Sequence, residues 1–142
     1  MHFLSLFTSF GYFNKEEDNQ KVICEVAKAL KPEGLFFLDV VNRERILHPY
    51  KPYRIIKTKN GDILTIKTNF NLISSRSNEE RVLTLKNKVK KRFYISGRIF
   101  TLTELISMIQ KSNLVFKKVY GDYNDSRFNL KSERCILIAQ KR

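Results

Sequence analysis

The chain has 142 residues, 42% hydrophobic and 12% aromatic, with 27 lysines and arginines against 14 acidic residues and a net charge of +13. That length and composition suit one globular domain with a real core and exclude a disordered chain. No apolar run approaches the roughly 18–20 residues that span a bilayer, and the N-terminus lacks a secretory pattern, so a cytoplasmic protein without a membrane partner is expected. Two cysteines, Cys24 and Cys135, and two histidines, His2 and His48, are too scattered for a metal site, and buried structural thiols are expected. The pI near 9.9 has three readings, a polyanion-binding surface centred on Lys86, Lys88, Lys90, Lys91 and Arg92, a solvated lysine-rich face, or an imbalance once offset by an acidic half.

At the start of the chain, Phe3, Leu4, Leu6 and Phe7 read as the end of a buried strand that runs into the loop Thr8-Ser9-Phe10-Gly11-Tyr12-Phe13. Gly11 allows a tight turn or a close approach to a ligand, and Tyr12 and Phe13 add flat apolar surface. Asn14 is placed to cap a helix, with Glu17 three residues on in a capping-box arrangement. Val22, Ile23, Val26, Ala27 and Leu30 form one apolar stripe, and Pro32 and Gly34 stop the helix. Leu35–Val41 is an apolar run interrupted by Asp39, as in a strand covered on both faces. It joins the first strand through the helix as a βαβ unit, which brings Asp39 and Asn42 to the side where Thr8–Tyr12 emerges. Asp39 is either part of a ligand site or a structural carboxylate that satisfies nearby groups.

From Tyr53 the residues alternate apolar and polar, which predicts three or four antiparallel strands with one packed and one wet face. Asn60-Gly61 predicts a two-residue hairpin turn, and Ser74–Glu80 reads as a second, longer turn. Thr101 and Glu104 form a capping box before a helix whose Leu102, Leu105, Ile106 and Ile109 share a face. Ser112-Asn113 ends it, with Asn suited to the left-handed cap. Leu114–Tyr120 and Arg134–Gln140 follow as strands flanking the polar loop Gly121–Glu133. The organisation is one domain: a β-α-β segment over 1–50, an inserted antiparallel lobe over 51–98, and a helix with a strand pair over 99–142.

The blocks "FTSFGYF", "NKEEDNQKVICEVAKALKPEG", "LFFLDVVN", "GRIFTLTELISMIQKSNLVFKKVYGDY" and "SERCILIAQKR", in that order, resemble the C-terminal half of a class I S-adenosylmethionine-dependent methyltransferase. The resemblance spans the chain except a divergent middle at about Pro52–Val89. It implies an α/β, partial Rossmann-like fold with an inserted antiparallel β lobe that covers the substrate. It also implies S-adenosylmethionine as cofactor, a small-molecule acceptor, and a site lined by Thr8, Ser9, Gly11 and Tyr12. Asp39, Asn42, Arg98 and Tyr120 are the candidate substrate-side residues. The family's cofactor cradle is a Gly-rich turn, yet no two of Gly11, Gly34, Gly61, Gly97 and Gly121 lie closer than 23 residues. The expectation is therefore a chain lacking the cofactor-binding half and inactive or weak alone.

Methyl transfer from a sulfonium needs orientation and a dry pocket more than a nucleophilic side chain, and no general base is assigned. The sequence has no G-x-S-x-G elbow, P-loop or H-E-x-x-H, and Ser9, Asp39 and His48 do not have the spacing of a hydrolase triad. The first strand, apolar and without a neighbour on one side, is expected to pair with a second copy, to pair with a separately encoded cofactor half, or to belong to a fragment whose natural start lies upstream. The alternative function is a non-enzymatic partner or RNA-binding module, with Phe70, Phe93 and Tyr94 as stacking candidates.

Overall fold

The computed structural model describes residues 2–6 and 8–142, so the expected burial of Phe7 lies outside the described residues. Along the chain run β1 (Phe3–Ser5), α1 (Glu16–Ala29), β2 (Leu35–Val41), α2 (Arg43–Leu47), β3 (Tyr53–Lys57), β4 (Ile63–Asn71), β5 (Arg76–Thr84), β6 (Lys90–Arg98), α3 (Leu102–Gln110), β7 (Leu114–Tyr120) and β8 (Arg134–Lys141). They divide into two compact units, Met1–His48 with Phe100–Arg142, and Pro49–Ile99. The α/β class and the inserted antiparallel lobe are as the sequence implies.

In the first unit a four-stranded sheet has the order β1-β2-β8-β7, with β1 parallel to β2 and the remaining pairs antiparallel. One sheet face carries Phe36, Leu38 and Val40 of β2 and Cys135, Leu137 and Ala139 of β8, all buried. Against it pack Ile23, Val26, Ala27 and Leu30 of the α1 stripe and Leu105, Met108 and Ile109 of α3. Gln20 ties the two helices together by donating to Met108 O at 3.0 Å and to Ser112 Oγ at 2.8 Å. Phe10 turns inward from its loop to lie 5.3 Å from the Phe100 ring.

The helix ends follow local chemistry, with one correction. Thr101 Oγ1 accepts from Glu104 N at 3.2 Å and the Glu104 carboxylate accepts from Thr101 N at 2.7 Å, a complete capping box. Asn113 takes the left-handed conformation expected of it, φ 59°. At α1, however, Lys15 and not Asn14 is the N-cap, and no side chain caps it. Glu16, Glu17 and Asp18 fill the first turn instead, so the positive end of the helix is answered by charge rather than by a capping oxygen. Pro32 then occupies a turn closed by Gly34 N donating to Lys31 O at 2.9 Å, with Glu33 at φ 62°.

A second correction concerns β1. Its Phe3 and Leu4 are 40% and 59% exposed, where a buried strand was expected. The cause is its place at the edge of the sheet, with β2 on one side and no strand on the other among the described residues. A groove of about 610 Å³ opens beside it, lined by Phe3, Phe13, Val22, Val26 and Ala29 among others.

The second unit is a meander, β3-β4-β5-β6, all antiparallel. Its buried strand positions, Ile66 and Thr68, alternate on β4 and so lie on one face. The opposite face bears Tyr53, Ile55, Lys57, Ile63, Lys67, Lys90, Arg92 and Tyr94, all exposed.

Both lobe turns expected from the sequence are built differently. The β3–β4 connection is a three-residue loop: Thr58 N donates to Asp62 O at 2.9 Å, Gly61 N donates to Thr58 O at 3.0 Å, and only Gly61 of the Asn60-Gly61 pair has positive φ, 84°. This is the turn-plus-bulge hairpin in which a single residue needs the left-handed region. The second turn is Leu72–Ser75, not Ser74–Glu80, because Asn71 Oδ1 accepts from Ile73 N and Ser74 N at 2.9 and 3.0 Å. The polar run after it is strand, its charges matched across the sheet by Arg54 on Glu79 and Arg92 on Glu80, and along β5 by Arg81 on Glu79.

Gly61 gives a direct test of the turn. Gly61→Ala is expected to cost about 1–2 kcal/mol from the left-handed backbone alone, because the Lys86 tail that a Cβ would meet can move aside. Urea unfolding of the variant measures it.

Candidate functional site

The site is built where β1 and β2 end. The loop leaving β1 turns at Thr8, a β-branched residue at φ 59°, an uncommon conformation that needs outside support. Two bonds hold it: Thr8 N donates to Asp39 O at 3.0 Å, and Thr8 Oγ1 accepts from Arg134 Nη2 at 2.9 Å. Asp39 is fully buried on the β2 face opposite the helices. Its Oδ1 accepts from Arg134 Nε at 2.7 Å and its Oδ2 from Tyr123 Oη at 2.5 Å. Arg134, the first residue of β8, pairs in register with Val41, which puts its side chain diagonally across from Asp39 on the same face.

Tyr123 reaches Asp39 because the β7–β8 loop is itself held in shape. Asn42 donates to the carbonyls of Asn129 and Ser132 at 3.0 and 2.9 Å, while its Oδ1 accepts from Glu44 N and caps α2. Asp122 accepts from Asn124 N and Ser126 N, and Ser132 Oγ accepts from Asn129 N at 2.8 Å. Gly121 is required there: a Cβ would lie 2.2 Å from Ser132 Oγ.

Electrostatics follow from this packing. The hydrogen bond to Asp39 raises the Tyr123 phenol above its ordinary value, so at neutral pH it is a donor and not a base. Burial first, and the Asp39 charge second, push the Cys135 thiol up to about 12, with Arg134 acting in the opposite sense. The cluster therefore offers a neutralised carboxylate, a bidirectional arginine and a phenol whose ring remains 58% exposed. It can position a ligand and present an aromatic wall. Among the described residues no group of three or more His, Cys, Asp or Glu could hold a metal ion.

Of the residues expected from the sequence, Thr8 and Asp39 are brought together, and Asn42 stands beside them as the organiser of the neighbouring loop. Ser9 Oγ lies 3.0 Å from Ser5 Oγ, Gly11 adopts φ 100°, and Tyr12 is 54% exposed. Tyr120 is half-buried on β7, its backbone bridging Arg127. Arg98 belongs to the other unit, where it donates to Ile99 O at 2.7 Å. Arg134 and Tyr123 were missed; the signal available was the buried position of Asp39, which demands a cation somewhere in the chain. The β1–α1 groove lies elsewhere and shares no lining residue with this cluster.

The sequence matches no protein-family model and no curated protein sequence. Among solved structures it is similar to the CcbJ methyltransferase from Streptomyces caelestis, with TM-score 0.89 and 11% identity over 99% of this chain and 60% of that one. An S-adenosylmethionine-dependent methyltransferase from Clostridium acetobutylicum gives TM-score 0.85 at 13% identity, over 99% of this chain and 57% of that one. A third, the S-adenosylmethionine-bound amino pentose methyltransferase of calicheamicin biosynthesis from Micromonospora echinaspora, gives 0.69 at 14% identity, over 99% and 58%. The fold is thus methyltransferase-like, and the chain spans less than two thirds of the proteins it matches.

Two tests follow from the cluster. Arg134→Leu strands a buried carboxylate and is expected to cost roughly 3 kcal/mol, partly recovered in the double variant with Asp39→Asn, both read from urea unfolding. Thiol and phenol are both held protonated past the point where the unfolded chain releases them. Their contribution is whole below the ordinary thiol value of 9.0 and is lost as pH rises toward about 12. Stability measured from pH 8 to 11 should fall, and fall less steeply in Cys135→Ala.

Proposed function

We propose that this chain supplies the C-terminal half of an S-adenosylmethionine-dependent methyltransferase acting on a small-molecule acceptor. The observation that carries the reading is the Thr8–Arg134–Asp39–Tyr123 cluster, set at the carboxyl ends of β1 and β2, the edge where open α/β sheets take ligands. An amine of an amino sugar is the acceptor class suggested by the name of one neighbour, the amino pentose methyltransferase.

The residues present fit the cofactor only in part. Gly11, at φ 100°, and the exposed Tyr12 ring suit one wall of a nucleoside site. The Gly-rich turn that would make the other wall is not in the sequence. S-adenosylmethionine, when bound, supplies the electrophilic methyl group. The work of this chain is then to fix the Thr8–Tyr12 loop through Arg134, to place the Tyr123 ring, and to keep the Asp39 charge away from water.

Pairing along the open edge of β1, with a second copy or with a segment that carries the cofactor-binding half, would fill the apolar groove beside it. A basic partner or RNA-binding role remains the second reading, favoured by the charge of the lobe.

Calorimetry with S-adenosylmethionine and S-adenosylhomocysteine tests the proposal. The isolated chain is expected to bind weakly or not at all, and co-expression with a segment carrying a Gly-rich turn to restore binding. Micromolar affinity of the isolated chain would overturn the placement of the cofactor. A monomer with no tendency to associate at high concentration in light scattering would count against the edge-strand partner.

A further inference from the structure

The lobe Pro49–Ile99 carries thirteen lysines and arginines against three acidic residues, so +10 of the chain's +13 resides in about a third of its length. Its acids are engaged: Glu79 with Arg54 and Arg81, Glu80 with Arg92, and Asp62 with the Lys86 backbone N–H at 3.1 Å. The remaining positive charge faces outward.

Strand register places Lys57, Lys67, Lys90 and Arg92 on one surface, with Arg54, Arg81 and Lys91 on the other. Tyr53, Lys67, Glu80 and Tyr94 form one row across the four strands, and Ile55, Thr65, Val82 and Arg92 the next. Lys57, Ile63, Thr84 and Lys90 form a third row on the same face. Tyr53 is 58% exposed and Tyr94 74%. With strands about 4.8 Å apart, the two rings stand roughly 14 Å from each other. Flat rings at intervals, with the Lys67 ammonium and the arginine-paired Glu80 between them and Lys57 and Lys90 on the same face, match the alternating bases and phosphates of an unpaired strand. An acidic peptide would satisfy the lysines but would leave the tyrosines unused.

We infer that this solvent face of the lobe is a binding surface for single-stranded nucleic acid, read by stacking on Tyr53 and Tyr94 and by phosphate contacts to Lys57, Lys67 and Lys90. Of the stacking candidates Phe70, Phe93 and Tyr94, only Tyr94 lies on this face. Phe93 lies on the other face, with Phe70. This surface belongs to the lobe alone and is independent of the methyl-transfer reading.

Fluorescence anisotropy of the full chain with a labelled oligouridylate tests it. Binding should weaken linearly in log affinity against log salt, by about 0.7 per phosphate contact. Tyr53→Leu and Tyr94→Leu should each weaken RNA binding at least fivefold while leaving binding to heparin, which has no bases, unchanged. Lys67→Glu with Lys90→Glu should abolish both, with thermal melts confirming that every variant folds. No RNA binding at low salt, or full binding by the tyrosine variants, would overturn the inference. So would anionic phosphatidylserine vesicles engaging the same tyrosines more tightly than the RNA.

Discussion

The ion pair between Asp39 and Arg134 joins β2 to β8 across 95 residues of sequence, and the first unit is arranged around it. A carboxylate with no exposed surface is tolerated only if a cation and further donors satisfy it. Arg134 can do so because the β2–β8 register places it diagonally opposite. The rest of its guanidinium then fixes Thr8, and the second carboxylate oxygen fixes Tyr123. One charge thus determines how the loops of Thr8 and Tyr123 meet at the same end of the sheet.

The two faces of that sheet have separate duties. The even positions of β2 and the odd positions of β8 pack against α1 and α3, and this layer supplies the apolar burial. The other face holds the polar cluster. β1 is a three-residue strand at the edge of that sheet, with an apolar groove beside it. Such an edge, with Phe3 and Leu4 exposed, leaves backbone groups open to pairing.

The lobe shows how one hairpin geometry is reached with different residues. Gly61 takes the left-handed position of the first loop at little cost, whereas Lys88, at φ 65°, takes the same position in the β5–β6 loop. There Leu85 N bonds Val89 O and Lys88 N bonds Leu85 O, both at 2.9 Å, as in the first turn. The two loops are linked by the Lys86 N–H on Asp62. The meander is thereby pinned at one end, which keeps its register and the composition of its solvent face well defined.

Periodicity and capping chemistry were enough to determine β2, α3, the final strand pair and the antiparallel character of the middle. These depend on neighbours three or four residues apart, or on unbroken apolar runs, and such signals are local. The order of the blocks was enough for the methyltransferase-like class. What only the tertiary structure decided were the partners of Asp39, since Arg134 and Tyr123 reach it through register and a folded loop and not through spacing. The same holds for the exposure of β1, the Lys15 cap, and the turns at Gly61 and Leu72–Ser75, where hydrogen bonds from Thr58 and Asn71 overrule residue preference. Which aromatic rings share a face with which lysines was likewise invisible until strand register was known, because a shift of one residue exchanges the two faces of a sheet.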